Sequence, residues 1–146
     1  MLALIQRVTQ AQVQVDKQTI GSIQKGILAL VGISKNDGQA QADRLLERIL
    51  HYRIFADAED KMNLSLKDIQ GGLLLVPQFT LVADTQKGTR PGFSTAMLPE
   101  QSEQLFNYFV KQAQIYHQSV AMGQFGADMQ VSLCNDGPVT FILQTH

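Results

Sequence analysis

The 146 residues contain one cysteine, no tryptophan and only three histidines, so most of the side chains that build metal centres and covalent cross-links are scarce. Cys134 alone cannot form an intramolecular disulfide or a thiolate zinc cage, and an isolated thiol suits a reducing compartment, so a cytoplasmic location is expected. His51, His117 and His146 show no two-histidine metal spacing and no hint of a triad, so neither a metal nor another cofactor is expected. A phosphate loop of the Walker type is missing, because Lys87-Gly88-Thr89 lacks the earlier glycine. Paired carboxylates are missing too: Asp57, Glu59 and Asp60 read as a solvated turn, and Asp128 and Asp136 suit turn geometry near the C-terminus. No stretch is apolar enough to span a bilayer, and the apolar start, Met1 to Arg7, has no basic leader, so no membrane attachment is expected. Twelve basic against thirteen acidic residues leave a net charge of −1, which argues against a surface that grips a long stretch of nucleic acid.

What the chain does have is apolar patterning. With 45% hydrophobic and 17% charged residues it is long enough for one well-buried core and too short for two ordinary domains, so a single domain over residues 1–146 is expected. Alternation through Val13 and Val15 and the run Ile27 to Ile33, divided by Gly21 and Gly26, predicts short antiparallel strands. Ala42, Leu45, Leu46, Ile49 and Leu50 fall on one face of a helix, with Asp43, Arg44, Glu47 and Arg48 opposite. Leu73 to Leu81 predicts a buried strand, and Val82 to Met97 an exposed loop. A second helix begins at Pro99, with a buried stripe expected through Leu105, Phe109, Ala113, Tyr116 and Val120. Met129, Val131 and Leu133 alternate into a turn at Asn135-Asp136-Gly137, followed by a last strand through Phe141 and Leu143.

Two distant segments carry the functional signal: Pro77-Gln78-Phe79-Thr80-Leu81, and Asn135-Asp136-Gly137-Pro138-Val139-Thr140. With Lys87-Gly88-Thr89-Arg90-Pro91 between them, the chain resembles the D-aminoacyl-tRNA deacylases from Ile5-Gln6-Arg7-Val8 to its final strand. Two positions depart from the family pattern: Pro77 and Gly92 stand where serine is usual. The resemblance implies an α+β fold of antiparallel-rich sheets forming a barrel-like core with two main helices. It also implies a homodimer that hydrolyses the ester between a D-amino acid and tRNA, touching only the aminoacylated 3′ end.

The resemblance also distributes roles. Gln78, Phe79 and Thr80 form the catalytic segment, while Gly137 and Pro138, joined by a cis peptide, exclude L-amino acids from the partner subunit's site. Met129, Lys87, Arg90 and Ala96 meet substrate, and Arg7 braces the Gly-Pro loop. Such a filter would also admit glycine, which lacks the group that clashes.

The residues alone leave several of these positions open. Thr80 is a tempting nucleophile, yet no general base accompanies it, and a β-branched residue also suits a strand. An aminoacyl ester is already activated, so main-chain N–H groups around Phe79 and Thr80 that receive the developing oxyanion, helped by the substrate's own 2′-hydroxyl, fit better. Phe79 suits stacking on adenine or packing inside, and Met129 suits a pocket or the core. Gln78 is suited to orienting backbone or substrate by hydrogen bonding. Two rival functions stand beside the deacylase: a non-catalytic module that binds charged tRNA or a D-amino acid, and a Thr80-dependent esterase.

Overall fold

The computed structural model describes residues 1–146. Its largest sheet begins with β1 (Leu2–Val15), β2 (Gln18–Ile23) and β3 (Gly26–Gly32), in which β1 pairs antiparallel with both of the others. The opening strand is therefore 14 residues long rather than short. Beyond β3 the sheet turns parallel through β6 (Gly72–Pro77) and β7 (Val120–Met122). Strand β8 (Gln130–Gln144) runs antiparallel along β1. Between β3 and β6 lie α1 (Gln39–His51), the small hairpin of β4 (Phe55–Ala56) and β5 (Met62–Leu64), and the single-turn helix α2 (Leu66–Ile69). Helix α3 (Pro99–Tyr116) precedes β7. The result is a nearly closed mixed barrel with three helices, an α+β fold.

Strand β3 reads Gly-Ile-Leu-Ala-Leu-Val-Gly because both of its faces are covered, as parallel-sheet neighbours require. Ile27, Ala29 and Val31 face the helices and pack with Leu45, Ile49 and Phe109, while Leu28 joins Leu74, Val76, Val8 and Val13 inside the barrel. The α1 stripe is buried as its spacing predicts. Tyr108 on α3 donates to the Asp43 carboxylate on α1 at 2.9 Å, and that bond, preferring the protonated phenol, raises the Tyr108 pKa.

Several local expectations differ from the structure. The strand beginning near Leu73 stops at Pro77, and Phe79–Val82 form a 3-10 turn. The reason lies in the ladder: Leu73 N–H bonds Ser119 O and Gly123 N–H bonds Leu75 O, so the next donor on the β7 side would be residue 77, where proline has none. No turn divides the C-terminal segment either; one strand runs through residues 135–137, and the irregularity predicted there appears as register shifts against β1 between Gln6 and Gln10. Tyr116 is exposed at the end of α3, and Val120 belongs to β7, because the helix stops at His117. The segment after Val82 is irregular, but two bridges tie it down, Asp84 to Gly92 and Ser34 to Ala96.

Candidate active site

At the end of β6 the chain bends. Gln78 N–H bonds Val31 O at 2.7 Å, and Leu81 N–H bonds Gln78 O at 3.2 Å as the first link of the 3-10 turn. The N–H groups of Phe79 and Thr80 precede that link and so have no acceptor within the turn. The Gln78 side-chain amide donates to the Thr80 hydroxyl. Phe79 is 57% exposed and meets Phe93, 43% exposed, with ring centroids 5.1 Å apart. Sequence reasoning gave Phe93 no role; its place one residue after the Arg-Pro-Gly stretch was the available signal. Leu81 Cβ and Val82 Cγ1 lie 3.0 and 2.9 Å from where a Gly32 side chain would begin, so only glycine lets the turn sit down on β3.

Around this bend the remaining segments are held by main chain. Lys35 N–H bonds Thr95 O at 3.0 Å, and the Thr95 hydroxyl donates to Val82 O. These contacts bring Ala96, half-buried, alongside the bend. Lys87 and Arg90 are exposed on the stretch closed by the Asp84–Gly92 bridge, and neither forms an ion pair. Met129 is half-buried; its sulfur accepts from Gln124 N–H at 3.3 Å and packs beside Gly123, which in turn abuts Pro77.

The second motif is built around Arg7. Its Nε donates to Asp136 O at 3.0 Å and lies 3.6 Å from the Asp136 carboxylate, while Nη1 donates to Ile54 O at 2.8 Å. Asn135 accepts from Val139 N–H at 3.0 Å and donates to the Thr140 hydroxyl at 2.9 Å, closing the loop from inside. The Gly137–Pro138 peptide is cis, and both residues are exposed.

Within one chain the two motifs do not meet. Pro77 aligns with Val31, Val31 with Ala3 and Ala3 with Leu143, so β3 and β1 intervene between β6 and β8. Three strand spacings come to roughly 14 Å before any offset along the strands. A cavity of about 470 Å³ between α1 and α3, lined by residues such as Leu46, Leu50, His51 and Tyr116, lies on the helical side and contains none of the motif residues. His117 is also structural in its contacts: buried at the end of α3, its Nε2 donates to Gly71 O at 2.6 Å.

The family profile described as D-Tyr-tRNA(Tyr) deacylase matches residues 4–144. The chain belongs to this family. A D-aminoacyl-tRNA deacylase of Pseudoalteromonas translucida is 59% identical over 143 residues, covering 98% of this chain and 99% of the relative. One of Cellvibrio japonicus is 56% identical, covering 99% of each. Among solved structures, a c-Myc DNA unwinding element binding protein superimposes with a TM-score of 0.96 at 40% identity, covering 100% of this chain and 99% of the other. A probable eukaryotic D-amino acid tRNA deacylase reaches 0.86 at 14% identity over 99% and 98% of the two chains, a likeness of fold.

Proposed function

We propose that this deacylase-family chain, acting as one domain over residues 1–146, is a cytoplasmic homodimeric hydrolase that cleaves the ester joining a D-amino acid to tRNA. The observation that carries the chemistry is the bend after Pro77, where the Phe79 and Thr80 N–H groups precede the first hydrogen bond of the 3-10 turn. Two convergent donors at an ester carbonyl stabilise the oxyanion that forms in the transition state. The Thr80 hydroxyl is engaged by Gln78 and has no base beside it, so the nucleophile is water and the terminal 2′-hydroxyl of the substrate assists.

Selection against L-amino acids falls to the Gly137–Pro138 loop of the partner subunit. Main-chain atoms pinned through Arg7 and Asn135 yield less than a flexible side chain and make a wall that a misplaced Cβ strikes. Glycine has no Cβ, so glycyl-tRNA passes the same wall. Lys87 and Arg90 meet phosphate at the 3′ end, Ala96 and Met129 bound the amino acid, and Phe79 offers its exposed face to adenine.

Release of free amino acid from D-tyrosyl-tRNA, beside L-tyrosyl-tRNA and a simple ester, tests the proposal. Hydrolysis of the D-ester alone is expected. Binding without release would establish a non-catalytic module, and turnover of the simple ester lost in Thr80→Ala would establish a threonine esterase. A tRNA ending in 2′-deoxyadenosine should be hydrolysed far more slowly; normal hydrolysis would remove the 2′-hydroxyl from the mechanism. The name of the 40%-identical structure raises DNA binding as a second reading. The net charge of −1 opposes a long duplex footprint, and a salt-sensitive mobility shift with duplex DNA would support it.

A further inference from the structure

We infer that Gly123 is a specificity-determining position, acting through Met129 on the space beside the Gln78-Phe79-Thr80 bend; the inference rests on the deacylase reading above. Gly123 follows β7, is buried, and donates its N–H to Leu75 O at 2.8 Å, so its place against β6 is fixed. A Cβ at this position would lie 2.8 Å from Met129 Sδ, 3.4 Å from Pro77 Cδ and 3.6 Å from Val76 Cγ1. The two β6 contacts are ordinary or nearly so, whereas the sulfur contact is too close for any real Cβ. What must give is the thioether, the far end of an unbranched, flexible side chain.

The sulfur is seated on main chain from two sides, by the bare Cα of Gly123 and by the Gln124 N–H at 3.3 Å. That seat touches Gly123, which touches Pro77, and Pro77 leads directly into Gln78 and the two oxyanion donors. An ester carbonyl bound at Phe79 and Thr80 carries the amino-acid Cα and side chain only a few bond lengths away. Met129 is therefore the adjustable part of the wall that a D side chain meets, and Gly123 sets where it stands. Behind Met129 the barrel is filled by Val76, Leu74 and Val131. Met129 is half-buried, and a displaced sulfur has room only on its open side, since close-packed interiors do not absorb an extra methyl.

The test compares kcat/KM for D-tyrosyl-tRNA and D-alanyl-tRNA in wild type, Gly123→Ala, Met129→Ala and the double variant. In Gly123→Ala the D-tyrosyl to D-alanyl ratio should fall at least tenfold, and in the double variant it should return to within threefold of Met129→Ala alone. Met129→Leu, with Gly123 intact, keeps the question answerable should Gly123→Ala not fold: a branched end in the same seat should also lower the ratio by several fold. A ratio within twofold of wild type in the folded variants would overturn the inference, as would a fall that Met129→Ala does not relieve. Failure of the wild type to hydrolyse either D-ester would instead overturn the deacylase reading, and this inference with it.

Discussion

Arg7 spends its guanidinium on two main-chain carbonyls, Asp136 O and Ile54 O, which joins the Gly-Pro loop to the segment after α1. Arg7→Met would leave both acceptors without their charged donor, at a cost of about 1–3 kcal/mol each before relaxation. Denaturant midpoints should show a loss of that order. Discrimination against L-tyrosyl-tRNA should weaken more than the hydrolysis of the D-ester, because the wall loosens while the donors at the bend stay put. Thr80→Ala removes a hydroxyl but neither amide, so kcat should stay within roughly tenfold of wild type; a loss of several orders of magnitude would identify a nucleophile. For Pro77→Ser the position in the strand ladder decides the outcome. The restored N–H falls on the β7 side, beyond the last β6–β7 bond, and the amides of Phe79 and Thr80 are untouched. A change below roughly tenfold is expected, less than the loss of one oxyanion donor; a hundredfold gain would place residue 77 in the catalytic apparatus.

Among the elements, the 3-10 turn matters most, and its seat on Gly32 gives a direct test. Gly32→Val puts branched carbon where Leu81 and Val82 already lie, so the turn lifts while β3 keeps its pairing with β1 and β6. Activity should drop more than a hundredfold for a fall in melting temperature of only a few degrees, read by kinetics and thermal denaturation together. Helix α2 offers a pH test. The Asp68 carboxylate is held below its ordinary range chiefly by the Ser65 main-chain N–H, then by the Ser65 hydroxyl. A carboxylate with a lowered folded pKa contributes stability above its unfolded value and loses it as pH falls through the folded one. The stability difference between wild type and Asp68→Asn should therefore shrink on acidification. The sequence made α1 legible because its five apolar residues keep one helical phase, and made the start of α3 legible through Pro99. It hid the 3-10 turn because Phe-Thr-Leu-Val reads as strand by composition, and only the ladder position of Pro77 shows why the strand must end. It hid the continuity of β8 because Asn-Asp-Gly-Pro is turn chemistry that a register shift accommodates within one strand. The two motifs were visible as segments; the separation between them was not, because it depends on strand order.

For the whole molecule that separation is the strongest argument for a second copy. Leu2, Leu4 and Gln6 project to the same side of the sheet as Leu30 and Gly32, with Gln144, Ile142 and Thr140 opposite them on β8. Farther along, this side forms the barrel interior, but here it opens out: Leu2, Leu4 and Leu30 are only half-buried and Ile142 is 65% exposed. The face runs from the 3-10 turn over Gly32 to Thr140, just past the Gly-Pro loop, and so contacts both motifs at its margins. A two-fold axis through it would lay each loop against the other chain's bend, because an isologous contact brings unlike ends of one surface together. Such a contact would cover apolar area that a monomer leaves in water. Sedimentation at micromolar concentration should report about twice the 16.2 kDa chain. Ile142→Glu puts a charge at the centre of the face without touching either motif, and it should give a folded monomer that no longer spares the L-ester. A monomeric wild type that still hydrolysed D-tyrosyl-tRNA and spared the L-ester would eliminate the cross-subunit wall, and the Gly137–Pro138 loop would then need another partner.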